Sequence, residues 1–129
     1  MRTIKTIFYM SICIAFIYSS NSELPNIKLK DMDKKKVIMT SLPDNGPIVI
    51  NFWNLACEPC KKEMKFLNQF HNKYKKNKFQ VYSINMDTPR SMSKVKSYIK
   101  SAGFDFKVLS DPRSESFRKL GGKAMPLLL

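Results

Sequence analysis

The run from Ile48 to Cys60, IVINFWNLACEPC, constrains this chain more than any other stretch. Ile48 to Trp53 is nearly continuous in β-branched and aromatic residues, broken only by Asn51. Such a run reads as a strand buried on both faces of a parallel sheet. Cys57 and Cys60 follow with two residues between them and lead into a helical pattern. A strand that hands a C-x-x-C to a helix start is the layout of a dithiol redox site.

The spacing has a chemical reason. A helix start offers unpaired N–H groups and a positive dipole end, and both stabilise a thiolate on Cys57. The thiolate is the attacking species, and its pKa in such motifs falls from ~8.5 to roughly 3.5–7.5. Cys60 lies about one turn further on, where it can close a disulfide against Cys57. Pro59 suits the first turn, where its missing N–H is not needed. A zinc site is the competing use of two cysteines. Cys13 and His71 are the only other Cys or His residues, so four such ligands do not come together in the mature chain. Two buried, inert cysteines are the remaining alternative.

At 129 residues the chain holds one domain. Arg2 and Lys5 precede the apolar segment Ile7–Tyr18, and the polar run Ser19-Ser20-Asn21-Ser22 follows. This is the pattern of a signal peptide over residues 1–22, cleaved near Ser20–Glu23. The apolar segment has 12 residues, short of the roughly 20 that a spanning helix needs. The expectation is export to the periplasm or the outer face of the membrane, with Cys13 leaving with the signal. Cleavage lowers the formal charge from +13 to +11. An exported protein rarely meets nucleic acid, so none is expected as a partner. The cluster Lys73, Lys75, Lys76 and Lys78 reads as a solvated face, with anionic headgroups or an acidic partner as the alternative. A single cysteine pair in an oxidising compartment points to a working pair rather than a structural one.

Along the rest of the chain, Ile27–Leu29 and Val37–Leu42 read as short strands joined by a turn over Asp31–Lys36. Pro43-Asp44-Asn45-Gly46-Pro47 is a breaker that leads into the core strand. After the cysteines, Met64, Leu67, Phe70 and Tyr74 form an apolar helix stripe continuous with Cys60. Glu63 falls inside that stripe at about 300° from Cys60. A carboxylate there serves the sulfur chemistry, or else complements the helix N-terminus or reaches out to solvent. Phe79–Ile84 reads as a strand, Ser91–Ala102 as a helix stopped by Gly103, Phe104–Leu109 as a strand, and about Arg113–Leu120 as a short helix. Alternating strands and helices imply a parallel sheet covered by helices on both faces.

FWNLACEPCKKE, with INMD after the next strand, LSD after the third and MP near the end, resembles the TlpA/ResA-like branch of the thioredoxin superfamily. The resemblance runs from about Ile27 to Leu129. It implies a thioredoxin-like α/β fold with a central mixed sheet, and an extracytoplasmic thiol–disulfide oxidoreductase. Cys57 would then be the attacking cysteine, Cys60 the resolving one, Pro126 the cis-proline beside the disulfide, and Glu63 an acidic residue that handles protons. It implies protein disulfide or dithiol substrates, apocytochrome c among them, and a membrane thiol reductant. No cofactor and no metal are expected; weak contact with a membrane surface is.

Two departures stand out. Ala56 occupies the position where relatives carry Trp. Relatives also continue past the proline through two strands and a C-terminal helix, whereas here three leucines follow. The expectation is a C-terminally truncated domain, monomeric if complete. The leading functional expectation is a disulfide reductase, in cytochrome c maturation as in many relatives. A peroxiredoxin would want Thr or Ser where Asn54 stands, and a non-catalytic metal or partner carrier would want a wider cysteine spacing and a distal histidine.

Overall fold

The computed structural model describes residues 23–129. The signal segment expected over residues 1–22, with Cys13, lies outside the described residues. Six strands form one sheet: β1 (Lys28–Asp31), β2 (Lys36–Ile38), β3 (Ile48–Trp53), β4 (Gln80–Asn85), β5 (Lys107–Ser110) and β6 (Leu127–Leu128). Their spatial order is β2-β1-β5-β4-β3-β6. Three helices connect them: α1 (Glu58–Tyr74), α2 (Met92–Ala102) and α3 (Glu115–Lys119).

The sheet is mixed rather than wholly parallel. β3, β4 and β5 run parallel, as the buried run in β3 requires, while β1, β2 and β6 are antiparallel additions at the two sides. Alternation along β3 divides the interior in two. Ile50 and Phe52 enter a core with Leu29, Leu42 and Ile84. Trp53 faces the opposite way, into a core with Cys60, Met64, Leu67, Val81 and Val95 beneath α1 and α2. The edge-to-face pair Phe52–Phe117, with centroids 5.3 Å apart, ties α3 to the first core.

Several local expectations need correction. Val37–Leu42 does not form a strand throughout. β2 ends at Ile38, and Met39–Asn45 is a 3₁₀ helix that buries Met39 and Leu42. Their spacing of three matches the three-residue turn of that helix and puts both side chains on one face. The strand expected from Phe104 begins only at Lys107. On α1 the apolar stripe is buried as far as Leu67, but Phe70 and Tyr74 are exposed and stack on each other at 6.2 Å. The period of the helix continues there without a facing layer to cover it.

Two contacts fix the frame around the site. Gly46 has φ of 135°, and a Cβ there would meet the Lys78 carbonyl at 2.7 Å, so only glycine lets this loop pass the turn after α1. Asp111 sits after β5 and caps α3. Its carboxylate accepts from Glu115 N, Ser116 N and Ser116 Oγ at 3.0, 2.8 and 2.6 Å. Leu127 to Leu129 do give β3 a second neighbour: Phe52 and Asn51 lie opposite Leu127 and Leu128, and Ile50 exchanges two backbone hydrogen bonds with Leu129.

Candidate active site

β3 ends at Trp53, and a tight turn over Asn54–Ala56 carries the chain to the start of α1. Asn54 shapes that turn from both ends. Its side-chain oxygen accepts from Ala56 N at 3.1 Å and its carbonyl from Cys57 N at 3.1 Å. The turn is pinned from outside by Asp87, whose Oδ2 accepts from Leu55 N at 2.9 Å and from Asn85 Nδ2 at 2.8 Å. Asp87 belongs to the INMD stretch and holds the cysteine loop to the end of β4. Nothing local to either segment signals a bond spanning 32 residues.

Cys57 is the N-cap of α1, and its sulfur accepts from Cys60 N at 3.3 Å. This is the position at which the helix N-terminus favours negative charge. Cys57 and Cys60 are joined in a disulfide, with Cα atoms 5.3 Å apart. Cys60 is wholly buried, while Cys57 is only half-buried. The first cysteine is therefore accessible from outside and the second is not.

Two carboxylates flank the pair in different states. Glu58 is exposed and bonded to Lys61 Nζ at 2.7 Å, which lowers its pKa and matches its charge. Lys61 also lies over the Tyr98 ring at 5.2 Å. Glu63 lies one turn beyond Cys60. Its Oε2 is buried and has no hydrogen-bond partner among the described residues, and burial raises its pKa. Three more buried groups lack a partner there: the Asn51 amide, Trp53 Nε1 and Ser83 Oγ. Asn51 and Ser83 are register neighbours on β3 and β4, on the Trp53 face. The polar break at Asn51 was visible in the sequence, but its neighbour on β4 was not.

Met125–Pro126 is a cis peptide bond and Pro126 is exposed. Met125 packs against the same core as Cys57, which brings this bond to the rim that carries the cysteine pair. His71 is not part of the site. It accepts from Val81 N through Nδ1 at 3.3 Å, well along α1.

The chain is similar to known proteins. Thiol-disulfide oxidoreductase ResA of Bacillus thuringiensis is 30% identical over 104 residues, covering 81% of this chain and 58% of that protein. ResA of Bacillus subtilis is 31% identical over 93 residues, covering 72% of this chain and 50% of that protein. The chain thus spans about half the length of the curated relatives it matches. Two solved structures share the thioredoxin-like fold. A secreted Mycobacterium tuberculosis disulfide oxidoreductase homologous to E. coli DsbE aligns with a TM-score of 0.70 at 16% identity, over 84% of this chain and 77% of that one. The thioredoxin domain of a thiol-disulfide oxidoreductase from Bacteroides vulgatus aligns with a TM-score of 0.71 at 21% identity, over 86% and 79%. A family model described as AhpC/TSA matches residues 21–127, which takes in β1 to β5, the cysteine pair and the proline. By this match the chain belongs to the AhpC/TSA family, on a thioredoxin-like fold and with ResA proteins among its relatives.

Proposed function

We propose that the protein is an extracytoplasmic thiol–disulfide oxidoreductase that works as a disulfide reductase, with cytochrome c maturation as its setting. The observation that carries this reading is the asymmetry of the pair: Cys57 is reachable at a helix N-terminus and Cys60 is buried behind it. In the reduced enzyme the Cys57 thiolate attacks one sulfur of a substrate disulfide. That S–S bond breaks, the leaving sulfur takes up a proton, and a mixed disulfide forms. Cys60 then gives its proton to the Glu63 carboxylate and attacks Cys57 Sγ: the bond from Cys57 to the substrate breaks, the Cys57–Cys60 disulfide forms, and the second substrate sulfur leaves as a thiolate that takes a proton from water. Two electrons pass from the dithiol to the substrate, and a membrane thiol reductant restores the pair.

The reducing direction has its own support. The buried Glu63 oxygen disfavours added negative charge near Cys60, which opposes the dithiolate form. A potential nearer ~−270 mV than ~−120 mV follows, and 30 mV corresponds to about tenfold in the equilibrium. Peroxidase chemistry has less support. Asn54 has no hydroxyl, and its side-chain oxygen is engaged with Ala56.

The test is a Cys60→Ser variant of the full chain, incubated with a disulfide-bonded protein. A mixed disulfide on Cys57 is expected, together with insulin reduction by the unaltered protein. An adduct that survives Cys57→Ser, or peroxide turnover without disulfide exchange, would overturn the proposal.

A further inference from the structure

A cleft of about 670 Å³ opens at the carboxyl end of β5, between β1 and the first turn of α2. Its volume lies in the usual range of ligand clefts, about 300–1,000 Å³. The end of an open α/β sheet where strands finish is also where such proteins commonly bind ligands. The floor is apolar, with Met32 and Met92. The rim carries Lys28, Lys30, Lys34, Lys96 and Arg113, none of which has a carboxylate partner among the described residues.

The acids that line the cleft are already engaged. Asp31 accepts from the backbone N–H groups of Asp33 and Lys35. Asp111 caps α3, and Glu115 pairs with Lys119 at 3.3 Å. The first turn of α2 forms one wall, carries no acidic residue and receives no side-chain cap from Ser91, so it adds positive potential. Hydrogen bonds from neutral groups leave the charges of Asp31 and Asp111 in place, so the cleft carries five cations against two carboxylates without a cationic partner, an excess of three positive charges.

Its place relative to the cysteines is set by the sheet. β3, which delivers Cys57, is two strands from β5 and three from β1. At about 4.8 Å between strands, the cleft lies roughly 10–14 Å along the rim from the end of β3. The two are joined directly, because the loop that contributes Pro89 to the cleft contains Asp87, which holds Leu55 next to the cysteines.

We infer that this cleft docks an extended acidic segment of the protein substrate, holding it while Cys57 works on its sulfur. An extended chain advances about 3.3 Å per residue, so the acidic residues lie about three to four positions from the substrate cysteine. A concave groove with an apolar floor fits a peptide with mixed acidic and apolar side chains better than a flat array of headgroups. The inference rests on the thiol–disulfide reading for the identity of the occupant.

The test uses the full chain and fluorescent peptides without cysteine, one bearing a Glu/Asp run with apolar residues and one with Ser at the acidic positions. Anisotropy at low salt should show the acidic peptide binding at least tenfold tighter, an advantage that 1 M salt removes as the Debye length falls to about 3 Å. Lys30→Glu/Lys96→Glu/Arg113→Glu should abolish that advantage. Lys73→Glu/Lys75→Glu/Lys76→Glu changes net charge equally, away from the cleft and from the cysteines, and should keep most of it. Equal affinity for both peptides, equal weakening by both triple variants, or binding of phosphatidylserine vesicles in place of peptide through the same three residues would overturn the inference. Turnover of the neutral 2-hydroxyethyl disulfide, measured alongside, should be the same in both variants as in the unaltered protein. Absence of that turnover in the unaltered protein would count against the oxidoreductase reading, while the peptide arms would still decide the docking.

Discussion

Replacing Asp87 with Ala tests how the redox loop is held. Asp87 Oδ2 accepts two hydrogen bonds, from Leu55 N at 2.9 Å and Asn85 Nδ2 at 2.8 Å. Hydrogen bonds to a charged group contribute about 1.5–3 kcal/mol each. Asn85 is wholly buried, so its freed N–H meets no water and the loss there falls in the upper half of that range. Leu55 is half-buried, so water can partly replace the lost acceptor and the loss falls at the lower end. The sum is about 3–5 kcal/mol, against a total stability of about 5–15 kcal/mol for a domain. With a urea slope of about 1–3 kcal/mol per M, the unfolding midpoint should fall by roughly 2 M. Asp87→Asn keeps an oxygen in place and should lose only about 1–2 kcal/mol. The Ala variant should also form the Cys57 mixed disulfide more slowly, because the turn before the cysteine loses its outer anchor. A midpoint shift under about 0.3 M would refute the accounting, as would an Asn variant as damaged as the Ala variant.

Burial raises the pKa of Glu63, so the folded state holds its proton more tightly than the unfolded chain does. Stability should therefore decline as pH rises from the ordinary glutamate value through the raised one, and Glu63→Gln should flatten that limb of a pH–denaturation series and shift the pH profile of mixed-disulfide resolution. His71 has the opposite sign. Burial, and then Lys75, lower its pKa, so stability should be full above about pH 6.5 and fall as pH drops through the lowered value. His71→Gln should remove that dependence in the same series, and an unchanged acid limb would show that the Nδ1 bond to Val81 is unimportant. Phe52→Ala empties a wholly buried site that is edge-packed on Phe117. It should cost about 3–5 kcal/mol in urea unfolding, and a loss below 1 kcal/mol would contradict the packing described.

What the sequence determined on its own was local and periodic. The apolar run of β3, the C-x-x-C one turn apart, and the breaker before them specify a strand, a helix start and two sulfurs at the join, because each depends on neighbours within a few residues. Glu63 could be placed on the helix face of Cys60 from the 100° step alone, although only packing could bury one of its oxygens without a partner. Periodicity misled at Phe70 and Tyr74, since an apolar stripe says where a helix can be covered and not whether a layer lies opposite. Asp87, the Asn51–Ser83 neighbours and the basic cleft were decided by tertiary structure. Each depends on residues far apart in the chain, brought together by the order β2-β1-β5-β4-β3-β6. That order follows from how β1 and β5 pair across nearly the whole domain, a long-range choice that no window of the sequence encodes.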